Sequence, residues 1–351
     1  MKIVVTGATG NVGTSVVQAL ATDDGVTEIV GIARRLPSWT HPKTRWMSAD
    51  VAQANLDPTF AGAAAVIHLA WAIQPSRDER ETQRVNVLGS ERVFEAAARS
   101  GVGALVHASS VGAYSPGPKD RAVDESWPTE GIETSFYSRH KAAVERSLDA
   151  VERDNPRMRV VRLRPGLIFK REAGSEIRRL FAGPFLPTPL VRPWLLPVIP
   201  DVPGLRVQAV HSLDVADAYR LSALDERARG AYNIAAEPVL DVSSVGQALN
   251  ARPVGVPSRV LRGLASASFM ARLQPTPPGW LDLGLGVPIM DISRAHSDLG
   301  WTSTRSSTEA LLELIDGMRE SAGFDTPPLA TDAGGPFRVR ELLSGVGRRN
   351  P

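Results

Sequence analysis

The sequence predicts an α/β fold, a doubly wound parallel sheet with a smaller, mostly helical C-terminal region. Three observations carry this. Short Val/Ile-rich runs alternate with longer helical patterns from Lys2 to about Arg164. The runs are continuously apolar, as strands covered on both faces should be. A glycine-rich turn joins the first run directly to a helical pattern.

Taken in order, the expected strands are Ile3–Thr6, Glu28–Ala33, Thr44–Ser48, Ala64–Leu69, Ala104–Ala108 and Arg159–Leu163. Between them, 11–22, 79–100 and 135–154 read as helices. In the second, Val85, Leu88, Val93 and Ala97 recur at roughly helical spacing and Gly101 is a stop signal. Seven prolines fall between Pro184 and Pro203, which forbids a regular helix and disfavours a central strand. A long loop is expected there, and its Phe185, Leu186, Leu190, Val191, Trp194, Leu195 and Leu196 suit a substrate cover, core packing or an association surface. Beyond it, 207–211 and 231–235 read as strands, and 212–226, 258–272 and 306–321 as helices. The Pro-, Gly- and Arg-rich end, 323–351, is expected to be a poorly ordered tail.

Composition narrows the function classes. The chain has 351 residues, no cysteine and nearly balanced charge, 40 basic against 38 acidic. A disulfide scaffold and thiol chemistry are excluded, and a cytoplasmic location is the expectation. Nothing signals nucleic-acid binding, because no long basic run exists. The most apolar stretch, 61–73, is too short for a membrane span, which needs about 20 residues. The apolar run after Lys2 ends at glycines too early for a signal peptide and reads as a first strand. Only Lys2, Lys43, Lys119, Lys141 and Lys170 are lysines; the other 35 basic residues are arginines. The six histidines show no paired metal-ligand spacing, so no metal site is expected; His68 and His107, in apolar strands, read as satisfied core residues.

The turn reads Thr6-Gly-Ala-Thr-Gly-Asn-Val-Gly13. Gly7, Gly10 and Gly13 allow a tight turn, close approach to a pyrophosphate and packing of helix on strand, while the helix start, with Asn11 and Val12, offers free N–H groups to the anion. Strand, turn and helix together support a dinucleotide site. Where an NAD site usually has a carboxylate for the ribose, the second strand ends in Ala33-Arg34-Arg35. Guanidinium groups suit a 2′-phosphate, so NADP is favoured over NAD. Asp50 either accepts from the adenine amino group or caps a helix.

Tyr137 and Lys141 lie four residues apart on one face of an expected helix. A nearby ammonium favours phenolate and should lower the Tyr137 pKa toward neutrality. Ser109 and Ser110 follow a strand at the carboxyl edge of the sheet, where ligands of open α/β folds bind.

Together TGATGNVG, HASSVGAY and YSRHK, with VIHLAW at 66–71, RVNVLGSERV at 84–93, RLRPGLI at 162–168 and DISRAHSDLGW at 291–301, resemble the extended short-chain dehydrogenase/reductase superfamily and its NAD-dependent epimerase/dehydratase branch. The resemblance implies a Rossmann-type fold, with 1–165 as the NAD(P)-binding domain, a return to it around 207–235, and 166–322 as the substrate-binding region. It implies Tyr137 as general acid/base, Lys141 on the nicotinamide ribose and Ser110 on the substrate oxygen. Val51, Leu69, Ala70, Ser109, Pro165 and Ile168 join the cofactor contacts, and Asn86 holds the active-site helix. A homodimer through 79–100 and 135–154 is also implied.

Departures from the family pattern point further. Val111-Gly112 follows Ser110 where dehydratases carry an Asp-Glu pair, and Val207 stands where sugar-nucleotide epimerases place an arginine, Arg206 being one position off. The expectation is an NAD(P)-dependent oxidoreductase acting on a carbonyl or secondary alcohol of a relatively apolar small molecule. The alternatives are a nucleotide-sugar epimerase working through a transient ketone, and a dinucleotide-sensing regulator without catalysis.

Overall fold

The computed structural model describes residues 1–182 and 198–333. Strands β1 (Lys2–Thr6), β2 (Glu28–Ala33), β3 (Thr44–Ser48), β4 (Ala65–His68), β5 (Ala104–Ala108) and β6 (Arg159–Pro165) form where the apolar runs predict them. A seventh parallel strand, Gly230–Ile234, completes a sheet with β1 and β4 adjacent at its switch point and with β6 beside the added strand. Helices α1 (Asn11–Ala21) and α2 (Phe136–Asp154) lie on opposite faces. Ile3, Val5, Val16, Val17 and Leu20 are buried on the α1 face; Val4, Val30, Val93, Phe94 and Leu148 are buried on the other. The fold is the Rossmann type.

Several expectations need correction. The strand Val207–His211 does not enter the large sheet; it pairs with Leu167–Phe169 and Ala236–Leu240 in a separate three-stranded sheet. Its composition fits either sheet, and only the short connection from β6 decides. Most of the expected proline-rich loop lies outside the described residues. Its end, Val198–Asp201, is a strand paired with Arg252–Gly255. A two-stranded ribbon tolerates Pro200 and Pro253 because its outer edges need no ladder donor. The start of the expected tail is also ordered: Leu329 is fully buried, Thr326 Oγ1 donates to Thr9 O at 2.8 Å, and Phe324 meets Trp39 edge-on.

Beneath the carboxyl edge of the sheet lies a buried ionic network. The Glu145 carboxylate accepts from Arg164 Nε at 2.9 Å and Nη2 at 3.0 Å, and from Ser109 Oγ at 2.5 Å. Burial alone would raise its carboxyl pKa, but Arg164, with Arg162 and Ser109, holds it below the usual carboxylate range. Arg164 also donates to Tyr114 Oη at 3.0 Å, and Tyr114 donates to Asn233 Oδ1 at 2.6 Å on the edge strand. The network therefore pins α2 to β5, β6 and the added strand. Glu145→Ala strips Arg164 of its carboxylate and is expected to cost about 3–5 kcal/mol of unfolding free energy in urea denaturation; a loss below about 1 kcal/mol would contradict it.

Candidate active site

The site begins at the glycine turn. Gly7 has φ +70°, and a Cβ there would lie 2.7 Å from Ala70 N. At Gly13 a Cβ would lie 2.3 Å from Gly7 O, so helix α1 can approach the turn only without a side chain. Gly10 is different, with nothing nearer than 3.6 Å to its Cβ position. It faces a cleft lined along its floor by Gly7, Gly10, Leu69 and Ala70 and at one end by Arg34, Arg35, Asp50 and Val51. Glu176, Arg179, Pro327 and Pro328 line it too, and sequence reasoning identified none of these four.

These cleft residues include eight of the expected cofactor contacts; the others lie elsewhere. Asn11 donates to Ile168 O at 3.2 Å, so that carbonyl already has a partner. Pro165 is buried within β6. Val12 and Gly13 sit in the first turn of α1, with Val12 packed on the core. Ser109 turns its hydroxyl into Glu145 and away from the cleft. Asp50 accepts from Ala52 N at 3.0 Å and pairs with Arg84 at 3.3 Å. The guanidinium groups of Arg34 and Arg35, by contrast, form no ion pair among the described residues, although Arg34 acts at longer range on Glu81, and burial together with Arg34 lowers the Arg35 pKa. Asn86 bonds both backbone groups of Ala72, at 2.7 and 2.8 Å, and so clamps the loop after β4 rather than α2. It lies in a single π-helical stretch, Arg84–Leu88, a distortion frequent at functional sites.

Ser110, Tyr137 and Lys141 come together where β5 ends. Ser135 caps α2, its side chain accepting from Ser138 N. Ser138 Oγ accepts from Ile132 N at 2.6 Å and donates to Gly112 O, tying the start of the helix to the turn that carries Ser110. The Ser110 hydroxyl accepts from Gly112 N at 3.0 Å and lies beside the Tyr137 ring, where it acts to lower the phenol pKa. A Cβ on Gly112 would lie 2.9 Å from the phenol ring, which explains why no side chain follows Val111 here.

The electrostatics differ from the expectation. Burial raises the Tyr137 pKa, and the Ser110 hydroxyl only moderates this. Lys141 is pushed down to about 7 by burial, with Glu145 opposing. Its Nζ donates to Ala108 O at 2.6 Å and sits 3.4 Å above the centre of the Trp71 ring. Burial is the largest cause of both shifts, and the expected lowering of the Tyr137 pKa by Lys141 is not among them. His68 contacts the Thr6 and Ser90 hydroxyls, at 2.7 and 2.9 Å, as a satisfied core residue. His107, stacked on it, has no hydrogen-bond partner among the described residues, contrary to expectation.

Aromatic rings enclose the phenol. Trp71 meets Tyr137 edge-on at 5.9 Å, Trp280 lies 4.9 Å away, and Phe181 meets Trp280 edge-on at 4.9 Å. Trp71 follows the recognisable Leu69-Ala70 pair, but nothing in its spacing signals that it covers Lys141. Arg206 donates to Lys119 O at 2.6 Å and so braces a loop.

The glycine cradle, sized for a close backbone approach, fits a dinucleotide. Gly7→Ala should lower thermal stability and abolish stabilisation by NADPH. Gly10→Ala should keep the parental midpoint in thermal denaturation while cofactor affinity falls about tenfold or more.

Comparison with known proteins agrees with this geometry. An uncharacterized protein of Mycobacterium tuberculosis is 26% identical over 326 residues, covering 92% of this chain but 31% of its own length, so the chain spans about a third of that relative. The decarboxylating sterol-4-alpha-carboxylate 3-dehydrogenase of Candida albicans is 36% identical over 101 residues, 29% of this chain and 27% of that one. The Thermus thermophilus UDP-glucose 4-epimerase complex with NAD superposes with a TM-score of 0.67 at 21% identity, covering 91% of this chain and 99% of that one. The profile of the NAD dependent epimerase/dehydratase family matches residues 3–181. Since that match spans just over half of the 351 residues, the chain belongs to the NAD dependent epimerase/dehydratase family.

Proposed function

We propose that the protein is an NADP-dependent oxidoreductase that interconverts a carbonyl and a secondary alcohol on a relatively apolar small molecule. The observation that carries this reading is the gathering of Ser110, Tyr137 and, one turn on, Lys141 at the carboxyl edge of the sheet, with Tyr137 and Lys141 packed on Trp71, which lines the cleft of the glycine turn. When bound, the nicotinamide supplies or accepts the hydride at the reacting carbon. Tyr137 gives the proton to the developing alkoxide, or removes it in the reverse direction, and Ser110 holds the same oxygen. Lys141 rests on Trp71, a residue of the cleft lining, within reach of a bound cofactor's ribose in this reading. The unpaired Arg34 and Arg35 suit a 2′-phosphate. Trp71, Trp280 and Phe181 offer ring faces and edges, while Arg206 is already engaged, which favours an apolar group over a sugar diphosphate.

The direct test is oxidation of NADPH in the presence of a panel of cyclic and aromatic ketones. Tyr137→Phe should lower turnover about 10²–10⁴-fold with little change in cofactor affinity. Replacing Arg34 and Arg35 by Ala should reduce the preference for NADPH over NADH about 10–100-fold. Interconversion of epimeric nucleotide sugars without net cofactor turnover would overturn the reading.

The raised phenol pKa sets the sign of the pH response. Tyr137 stays protonated at neutral pH, so its own titration puts no step in carbonyl reduction between about pH 6 and 8, any fall there following Lys141, whose pKa burial brings to about 7, while alcohol oxidation, which needs phenolate, should climb toward alkaline pH. A reduction rate that rises with pH in kcat/KM profiles would contradict this assignment.

A further inference from the structure

From Asn250 to Leu281 the chain contains Arg252, Arg259, Arg262 and Arg272 but no acidic residue. Its helix, Ser258–Met270, has no buried residue. Val260, Gly263, Leu264 and Ala267 follow an i, i+3, i+4, i+7 stripe, and Val260 and Leu264 are 52% and 62% exposed. Met270 and Leu273 continue the apolar surface at 70% and 52%. Val198 and Val254, on the paired strands leading to the helix, are exposed as well.

The other face of the helix is the attached one. The Arg77 guanidinium lies 3.8 Å over the Phe269 ring, and the Gln274 side chain donates to Ala265 O and Ser268 Oγ, both at 3.2 Å. Arg262 pairs with Asp282 at 2.8 Å. The exposed stripe therefore does not hold the helix in place. Arg252, Arg259 and Arg272 are exposed, and no ion pair engages them among the described residues. An apolar stripe beside unpaired arginines, on a helix too polar and short to span a bilayer, has the chemistry of an interfacial helix.

We propose that this helix, with Val198, Val254 and Leu273, seats the protein on an anionic lipid surface. Lipid fits better than a second copy, because a two-fold contact would press Arg252, Arg259 and Arg272, which no ion pair engages among the described residues, against their own copies. Acidic headgroups meet the arginines while the hydrocarbon boundary accepts Val260 and Leu264. The same segment supports the aromatic enclosure, since Thr276 Oγ1 donates to Phe181 O at 2.5 Å and Pro275 O accepts from Ser76 Oγ at 2.5 Å. Docking here sets the substrate side of the protein toward the lipid. The surface does not depend on the reaction proposed above, and its test reads binding alone.

The full chain is to be sedimented with phosphatidylcholine vesicles containing about 30% phosphatidylglycerol, with phosphatidylcholine vesicles alone, and with the anionic vesicles in about 0.5 M salt. Binding is expected to the anionic vesicles and to fall in the other two conditions. The Val260→Glu/Leu264→Glu variant should lose about tenfold or more in partitioning with an unchanged thermal midpoint, and Arg259→Gln or Arg272→Gln about fivefold each. Failure of the parent to sediment with anionic vesicles would overturn the proposal. So would equal binding by the double variant, or a parent dimer in sedimentation equilibrium that Leu264→Glu makes monomeric.

Discussion

The contact on which the site depends is the one between Glu145 and Arg164. Tyr137, Lys141 and Glu145 are spaced one helical turn apart along one face of α2. Fixing the last therefore fixes the other two. Isolated in this interior, the carboxylate would not remain charged; it is held by a two-pronged bond from Arg164 and by the Ser109 hydroxyl. Apolar packing tolerates small sliding of a helix over a sheet, whereas this geometry is lost with a shift of about an ångström. The register of α2 is thus set by directed bonds.

The same arrangement decides between two adjacent serines. Ser109 and Ser110 are neighbours in sequence, yet in an extended chain successive side chains point to opposite sides. Once Glu145 takes Ser109, Ser110 must face Tyr137. Gly112 completes the arrangement, because a Cβ there would collide with the phenol ring. The absence of the Asp-Glu pair is therefore consistent with the packing as well as with a different chemistry.

The parallel core was legible because strands buried on both faces must be largely apolar, as β1, β2, β4 and β5 are; edge strand β3 is half-exposed, and β6 carries Arg162 and Arg164 into the interior. The glycine turn was legible because Gly7 and Gly13 answer to backbone collisions that any side chain would cause. What the sequence left open depends on partners distant in the chain. Asp50 looks free for a ligand until Arg84 is placed beside it. Val207–His211 has the composition of a central strand but is captured by Leu167–Phe169. The end near Phe324 reads as a polar tail, yet it supplies Thr326 to Thr9 and Pro327 and Pro328 to the cleft lining. Glu145 carried a readable signal, its spacing of four from Lys141, but its partner Arg164 lies across the sheet edge.

Lys141 shows why an arginine-rich chain keeps a lysine here. Its ammonium is buried with one carbonyl acceptor, Ala108 O, one aromatic face, Trp71, and the carboxylate of Glu145 one turn away. A guanidinium has five donors in a rigid plane, and most would be left unsatisfied in this space. A compact ammonium can exchange its weak contact with Trp71 for oxygen acceptors on an incoming ligand while keeping its bond to Ala108. Burial has brought its pKa to about 7, so small changes in surroundings alter its charge at neutral pH. An arginine, always charged, would lack that responsiveness. The position thus favours a small, buried and titratable cation on a stem that reaches Ala108 O, which lysine supplies and arginine does not.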